Sequence, residues 1–313
     1  MSNKIRMTQQ QNLSIEKAME LYIRKAKVRN LSEDTLRTYQ CHFNIFIRYI
    51  SQETPISDVT SECLDGFIIY LRSTSKANEI TINTYLRTMR AFLYFCMDCG
   101  YLERYKIVMP KVEKKVKETY TAQELERLLK KPNINKCSFT EYRIWVFENY
   151  LLGTGNRLSS ALNVRIKDID FDNATILIRK TKNRKQQIIP LSHTLSIILQ
   201  EYLEIRGGTE DDYLFCTIYG EKADRRAFQD AVADYNISRG VNKTSCHLFR
   251  HTFSKNWILA GGDIFRLQKI LGHSDLTVTR EYVEMFRTDL QQDFDQFNPL
   301  ERMQKNKDVI RMK

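Results

Sequence analysis

The sequence has none of the long apolar runs by which membrane proteins are recognised. No stretch of about 18 residues is both apolar and uncharged, and the N-terminal MSNKIRMTQQQ lacks the apolar segment of a secretory signal. Internal repeats and low-complexity tracts are absent as well. We therefore expect a protein that neither spans a membrane nor is exported, and that works in the cytoplasm.

Cysteine is irregularly spaced. The seven cysteines stand at positions 41, 63, 96, 99, 137, 216 and 246, and an odd number without a framework spacing indicates reduced thiols. Cys96 and Cys99 form a C-x-x-C pair, but no second pair at zinc spacing accompanies it, so helix packing is the favoured interpretation. A phosphate-binding glycine loop and a cluster of carboxylates are also lacking. The sequence thus predicts neither a metal nor another cofactor.

Positively charged residues outnumber negatively charged ones. Lys and Arg number 49 against 38 Asp and Glu, which gives a net charge of +11 and an isoelectric point near 9.2. Such a balance favours a polyanionic partner such as nucleic acid, although many basic proteins simply carry a solvated surface. With 313 residues and 42% hydrophobic content, the chain is long enough for two folded domains.

Residues 13 to 105 are predicted to form a helical bundle after a polar start at residues 1 to 12. The predicted helices span roughly 15 to 29, 33 to 51, 60 to 73 and 78 to 99, with Ser32 and Thr60 as candidate caps. Apolar stripes on the second and fourth helices indicate a shared core. Four residues fall opposite these stripes, namely Arg37, Asn83, Arg87 and Arg90. Basic and amide groups on one exposed helix face suit a DNA major groove, but a merely solvated face is the alternative.

Residues 106 to 118, KIVMPKVEKKVKE, carry five lysines and little apolar periodicity, which favours a linker. Its lysines can follow phosphates along a duplex or simply keep the chain soluble. Thr121 and Glu124 then form a T-x-x-E capping box. This strong helix start opens a second domain, which we expect to span residues 119 to 290.

The second domain mixes helices with a small β element. Helices are predicted near 142 to 152, 193 to 206 and 223 to 237. TILIRKTKN and RKQQIIPLS alternate in polarity on either side of a polar turn, as a β-hairpin does. Gly153 and Gly155 predict a turn that brings Arg157 to a helix start, where a guanidinium and main-chain N–H groups can meet a phosphate.

The densest chemistry lies between His247 and Tyr282. Apolar residues at four-residue steps predict a buried helix stripe: Phe249, Phe253 and Trp257. His247 and Arg250 fall on a neighbouring face. A following helix ends at Gly272, which leaves His273 on a tight turn nine residues before Tyr282. The sequence thus separates the apolar face of the first helix from its chemical face.

These residue types suit phosphoryl transfer through a covalent phosphotyrosine. An arginine offers a planar charged fork for phosphate oxygens, histidines donate hydrogen bonds or move protons near neutral pH, and a tyrosine hydroxyl can attack phosphorus. On residue types alone an alternative stays open. In it, His247 and His273 are ordinary core histidines and Tyr282 is simply one of 16 tyrosines.

The pattern resembles the tyrosine recombinase family, which includes phage integrases and the Xer and Cre-type enzymes. Family members carry H-x-L-R-H, then L-G-H, then a tyrosine nine residues on; this chain has HLFRH, LGH and Tyr282. The resemblance implies a mainly α fold with a small hairpin or sheet. Its two domains would be a SAM-like helical core-binding domain that clamps DNA and an α+β catalytic domain.

The resemblance also implies roles for single residues. The family's T-G-x-R segment supplies the first catalytic arginine, here Arg157, but the Glu or Asp usual three residues later is Ser160. The family's hairpin lysine, which protonates the leaving 5′-oxygen, corresponds to Lys182, while Lys180, Arg184 and Lys185 crowd the same turn. The implied catalytic set is Arg157, Lys182, His247, Arg250, His273 and Tyr282. Arg157 and Arg250 would neutralise phosphate oxygens, His247 would move a proton, and His273 would donate a hydrogen bond to the phosphate.

The implied function is site-specific recombination of double-stranded DNA through a 3′-phosphotyrosine, without metal or ATP. The expected substrate is DNA of the nucleoid with inverted-repeat core sites. The expected reaction is integration or excision of a mobile element, or Xer-like resolution. We expect a tetramer on DNA, with the C-terminal tail at 291 to 313 docking on a neighbouring protomer. Two rivals remain: a type IB-like topoisomerase, and a non-catalytic DNA-binding protein, which the complete set of six residues disfavours.

Overall fold

The computed structural model describes residues 13–111, 117–179 and 186–273, together with 275, 276, 279, 280, 282, 298 and 300. The chain divides into two compact units, residues 1–115 and 116–313. The predicted hairpin lysine Lys182 and nearly all of the predicted tail at 291 to 313 lie outside the described residues.

The described part of the first unit contains four α-helices, and local sequence signals mark where each one starts. The helices are α1 (Ile15–Val28), α2 (Glu33–Tyr49), α3 (Ser61–Thr74) and α4 (Glu79–Asp98). Each begins after a residue whose side-chain oxygen accepts a main-chain N–H of the first turn: Ser14, Ser32, Thr60 and Asn78. The predicted caps Ser32 and Thr60 are confirmed, because an oxygen at this position satisfies a donor that the helix itself leaves unpaired.

Aromatic side chains from these helices fill the core of the first unit. Phe43 on α2 meets Phe92 on α4 edge to face, with ring centroids 5.1 Å apart. Phe46 meets Phe67 on α3 in the same way at 5.0 Å. All four rings are fully buried, and each such side chain contributes on the order of 2 kcal/mol relative to exposure. The predicted apolar stripes therefore form one common core.

The predicted outward face of the first unit is only partly outward. Arg37 and Arg87 are exposed and Arg90 is half-buried. Asn83, however, is only 8% exposed and donates from Nδ2 to the carbonyl oxygen of Pro110 at 3.0 Å. The expectation that Asn83 projects outward as a DNA contact is wrong, because the chain after α4 returns along the helix and covers that position. The first part of the predicted linker thus lies against the first unit.

The second unit combines seven helices with one small sheet among its described residues. The helices are α5 (Ala122–Leu129), α6 (Phe139–Thr154), α7 (Leu158–Ala161), α8 (His193–Arg206), α9 (Arg225–Ser238), α10 (Cys246–Leu259) and α11 (Ile264–Leu271). The strands β1 (Ile169–Asp170), β2 (Thr175–Ile178) and β3 (Gln187–Pro190) form an antiparallel sheet in that order. In the predicted hairpin, Thr175 pairs with Pro190 and Ile178 with Gln187. The expected fold class, mainly α with a small sheet, is confirmed.

Helix α6 is the central element of the second unit. It is buried on almost every side and packs against α5, α8, α9 and α10. The predicted capping box of α5 is present, since Thr121 and Glu124 each bond the other's main-chain N–H. The segment before α5 is fixed to α10, because the main-chain N–H of Tyr120 donates to the Thr252 hydroxyl at 2.9 Å.

No helix in the described part of the chain is both long and apolar enough to cross a bilayer.

Candidate active site

Helix α10 presents its two predicted catalytic residues in different environments. Ser245 caps the helix by accepting the main-chain N–H of His247 at 3.3 Å. Phe249, fully buried, packs on the ring of Tyr120 with centroids 4.6 Å apart. This anchor leaves the His247 side chain exposed and turns Arg250, only 2% exposed, inward. The predicted apolar stripe is buried at Phe249, whereas Phe253 and Trp257 are only half-buried.

Arg250 is held by main-chain oxygens from two other segments. One terminal nitrogen, Nη1, donates to the carbonyl of Gly155 at 2.8 Å. The other, Nη2, donates to the carbonyl of Leu271 at 2.8 Å and lies 2.6 Å from Nε2 of His273. Gly155 is the left-handed cap of α6, and Gly272 is the left-handed cap of α11. The three segments that carry the sequence motifs therefore meet at one guanidinium.

The contact with Arg250 fixes which nitrogen of His273 carries a proton. An arginine only donates hydrogen bonds, so Nε2 of His273 accepts. The proton of the neutral ring is then on Nδ1, which lies 2.8 Å from the Thr279 hydroxyl. In this arrangement His273 holds Arg250 in place. The expected hydrogen bond from His273 to a phosphate would require Nε2 to become the protonated atom.

The sheet supports this corner of the site. Gln187 on β3 donates from Nε2 to the carbonyl of Ile270 at 2.7 Å and also to that of Lys269. These oxygens belong to the last turn of α11, and that of Lys269 also accepts the main-chain N–H of Gly272 at 3.0 Å. The hairpin thus holds the helix end that precedes Gly272 and His273.

Tyr282 lies within this group of side chains and is only 2% exposed. Its hydroxyl is 2.7 Å from Nδ1 of His251. The ring of His273 lies parallel to the tyrosine ring, with 2° between planes and 6.5 Å between centroids. The ammonium of Lys117 lies over the tyrosine ring, 4.3 Å from its centroid. The predicted nucleophile is therefore enclosed by two histidines and a lysine.

Arg157 reaches the same site but is held differently. It is the N-cap of α7 and is half-buried, as the prediction of a helix start required. Its guanidinium makes no hydrogen bond to another described residue. Its charge nevertheless acts on Arg250, His247 and Tyr282. Ser160, where the resemblance led us to look for a carboxylate, is 6% exposed and offers no charge to pair with Arg157.

Burial and mutual repulsion shape the protonation of this cluster. Burial, followed by the charge of Arg157, lowers the pKa of Arg250 to about 10, which leaves it charged at pH 7. Burial, followed by nearby positive groups, lowers the pKa of His251 to about 4 and that of His273 to about 3. Desolvation and the same cations lower the pKa of His247. The site therefore combines fixed cations with neutral histidines, which suits an anionic ligand.

The structure brings together five of the six predicted catalytic residues, and Lys182 lies outside the described residues. It adds two residues that we did not predict, His251 and Lys117. His251 stands in the HLFRH motif, four residues after His247, so helical spacing could have placed it on the same face. Nothing local distinguishes Lys117 from the other lysines of the predicted linker, because only tertiary contacts place it over Tyr282.

Comparison with known proteins agrees with this geometry. The model of the phage integrase family matches residues 118–288, and that of the phage integrase SAM-like domain matches residues 15–111. The chain belongs to the phage integrase family. Its enzymatic class is that of a site-specific tyrosine recombinase, as the resemblance of the motifs implied.

Curated relatives and solved structures extend over nearly the whole recombinase. The tyrosine recombinase XerD of Staphylococcus haemolyticus (strain JCSC1435) is 26% identical over 302 residues, covering 91% of this chain and 99% of the relative. XerD of Staphylococcus aureus (strain N315) is 25% identical with the same coverage. Among solved structures, a Tn1549 transposon integrase in complex with transposon right end DNA superposes with a TM-score of 0.72 at 20% identity, covering 91% of this chain and 99% of that one. XerH bound to a palindromic difH substrate gives 0.67 at 21% identity, with 90% and 83% covered. These structures share the fold of the recombinase.

Proposed function

We propose that this recombinase cleaves and rejoins double-stranded DNA with Tyr282 as the nucleophile. The observation that supports the proposal best is the position of the Tyr282 hydroxyl, 2.7 Å from a histidine nitrogen and acted on by the charges of Arg157 and Arg250. A tyrosine hydroxyl is a weak nucleophile until its proton is removed. A base and two guanidinium groups around one hydroxyl provide proton removal and stabilisation of a phosphate in the same place.

In the proposed cleavage step, the Tyr282 oxygen attacks the scissile phosphorus while the bond to the 5′-oxygen breaks. Arg157 and Arg250 neutralise the nonbridging oxygens, on which negative charge grows. The exposed His247 donates a hydrogen bond to the same phosphate, and Lys182 gives a proton to the departing 5′-oxygen. The product is a 3′-phosphotyrosine and a free 5′-hydroxyl. Attack by the 5′-hydroxyl of a second strand reverses these transfers and joins the strands.

We propose that the first unit contributes DNA contacts through Arg37, Arg87 and Arg90. Arg37 and Arg87 are exposed on α2 and α4, where a guanidinium can reach a phosphate or a base edge. Asn83 is not part of this proposal, because its amide is already bonded to Pro110. The net charge of +11 supports a large phosphate contribution to binding.

The names of the relatives support a further part of the proposal, which concerns the biological reaction. XerD, XerH and the Tn1549 integrase carry names that place them in recombination, and two of these were solved with DNA. By analogy we propose that this recombinase acts in the cytoplasm as a tetramer on two inverted-repeat core sites. The reaction is integration or excision of a mobile element or Xer-like resolution.

A suicide substrate tests the nucleophile. The target is first mapped by trapping covalent protein–DNA adducts on genomic DNA, and a duplex with that site is then nicked close to the cleavage point. The wild type should accumulate a covalent adduct, because the short cleaved strand diffuses away. Tyr282→Phe should form no adduct yet bind the duplex with nearly unchanged affinity, since phosphate contacts dominate binding. An adduct formed by Tyr282→Phe would rule out Tyr282 as the nucleophile. Relaxation of supercoiled DNA that lacks the site would favour the topoisomerase alternative.

The same substrate tests the general acid. Lys182→Ala should slow cleavage, and a 5′-bridging phosphorothioate should restore much of the rate because its leaving group needs no proton. Rescue of Lys180→Ala or Lys185→Ala instead would transfer the role to that lysine.

A further inference from the structure

The partner of the Tyr282 hydroxyl is the second histidine of the HLFRH motif. His251 lies one helical turn after His247 on α10, and the two rings meet edge to face with centroids 4.7 Å apart. His251 is half-buried, whereas His247 is exposed. The 2.7 Å distance from Nδ1 of His251 to the tyrosine hydroxyl is that of a good O–H to N hydrogen bond. Of the two histidines on this face, His251 is thus the less exposed one and lies at hydrogen-bond distance from the reacting oxygen.

The surrounding charges decide the direction of this hydrogen bond. The charge of the Arg250 guanidinium acts on the Tyr282 hydroxyl. A tyrosine hydroxyl can donate as well as accept, so its proton can point at Nδ1 of His251, 2.7 Å away. Burial and the neighbouring His247, Lys117 and Arg250 lower the pKa of His251 to about 4, so its ring is neutral at pH 7. A neutral ring has a nitrogen that can accept.

We propose that His251 is the proton acceptor for Tyr282 during strand cleavage. As the tyrosine oxygen bonds to phosphorus, its proton passes to Nδ1 of His251. The bond from phosphorus to the 5′-oxygen breaks at the same time, and that oxygen takes its proton from the general acid. His251 returns its proton to the tyrosine when the 5′-hydroxyl of the joining strand attacks the phosphotyrosine. The inference rests on the proposed nucleophile, Tyr282.

The same charges make this acceptor dependent on the substrate. In the free enzyme, Arg250 and Lys117 oppose a third positive charge on His251. A scissile phosphate bound by Arg157 and Arg250 brings negative charge beside the ring and raises the pKa of His251. Proton transfer to His251 is then favoured once DNA is in place.

The experiment compares three variants in single-turnover cleavage of the nicked duplex between pH 6 and 10. His251→Ala removes the acceptor, His251→Asn keeps an acceptor oxygen that cannot take a proton, and His247→Ala is the matched control from the same helix face. Both His251 variants should be slower than the wild type by about 10²-fold or more at pH 7. Their defect should shrink by up to about tenfold per pH unit above pH 8, because hydroxide replaces the missing base. The defect of His247→Ala should stay constant with pH, since its proposed partner is the phosphate.

Three results would overturn the inference. The first is a near-normal rate for His251→Asn, which would show that a hydrogen bond suffices without proton transfer. The second is a His251→Ala defect that does not change with pH, as a purely structural role would give. The third is a pH-dependent defect in His247→Ala instead. Affinity for the duplex and thermal unfolding confirm that each variant is folded, and the nearly isosteric His251→Asn guards against misfolding of the alanine variant. Adduct formation by Tyr282→Phe would instead refute the nucleophile itself.

Discussion

Arg250 and Arg157 each place a guanidinium group at the same site, but the two groups differ in the contacts that hold them. Arg250 is buried and bonded to the carbonyls of Gly155 and Leu271 and to His273. Arg157 is half-buried, with no hydrogen bond from its guanidinium to another described residue. The first is therefore part of the folded framework as well as of the site, whereas no described residue holds the second by a hydrogen bond.

The difference shows how two arginines of one phosphate site can have separate functions. A guanidinium locked by main-chain oxygens is placed before the substrate arrives, which is how preorganised groups stabilise a transition state. A guanidinium that no described side chain holds can follow the phosphate as its geometry changes, but it repels its charged neighbour until the anion binds. The absence of a carboxylate at Ser160 removes the group that could have made Arg157 resemble Arg250.

Replacing each arginine by alanine gives the largest expected effects. Both Arg250→Ala and Arg157→Ala should slow cleavage by about 10²- to 10³-fold or more, because each removes a donor to the phosphate. Their stabilities should diverge. Arg250→Ala should lose about 2 to 4 kcal/mol of unfolding free energy, because two buried carbonyls lose their partners. Arg157→Ala should be neutral or slightly stabilising, because repulsion with Arg250 is relieved. Denaturant unfolding measures both, and equal losses would contradict the comparison.

Gly155→Ala tests the framework that holds Arg250. Gly155 has a φ of 63°, and a Cβ there would lie 2.6 Å from Phe253 Cδ1 and 2.9 Å from Leu271 Cδ2. We expect a loss of about 2 to 3 kcal/mol, from left-handed strain and overpacking together, and slower cleavage as the carbonyl moves. Gly100→Ala is the control, because its φ is 75° but nothing lies within 4 Å. It should lose only about 1 kcal/mol, with cleavage unchanged.

Acid should weaken the side of the site where Arg250 is held. The folded pKa of His273 is about 3, below the value near 6.5 expected for an unfolded histidine. The unfolded chain therefore binds more protons between these values, and stability falls as pH drops below about 6.5. Full linkage would cost about 1.4 kcal/mol per pH unit, and solvent screening should reduce this to about half. Unfolding at pH 7.5 and 5.5 measures the loss, which should be smaller in His273→Asn; an unchanged pH dependence in that variant would argue against His273 as the source.

Ser160→Asp should have the smallest effect. A carboxylate three residues after Arg157 on the short α7 should form an ion pair with the guanidinium and gain about 0.5 kcal/mol. Cleavage should change by only a few-fold, because the paired arginine still faces the phosphate. The matched change Ser159→Asp, at an exposed position of the same helix, should leave Arg157 unaffected. A large loss of stability in Ser160→Asp would show that the buried position cannot accommodate the charge.

The features that could be predicted from the sequence are those encoded locally. Caps such as Ser32 and the Thr121 capping box are local, and so is the spacing of His247, Arg250 and Tyr282 in the family motif. Asn83 was assigned to the wrong environment because it is covered by Pro110, 27 residues later, which helical periodicity cannot indicate. Helical spacing could have placed His251 on the face of His247, but the contacts of His251 and Lys117 with Tyr282 depend on where Tyr282 comes to lie, which no local pattern shows.

The oxygens that hold Arg250 belong to the main chain, and this has a consequence for building chimeric recombinases. A point substitution does not delete a carbonyl, so the hold on Arg250 depends on the backbone paths of the segments containing Gly155 and Leu271. A chimera that takes α10 from a relative would keep all the motif residues. Its arginine would still be misplaced if the backbone of either segment followed a different course. Exchange should succeed when α10 is transferred together with the segments that contain Gly155 and Leu271.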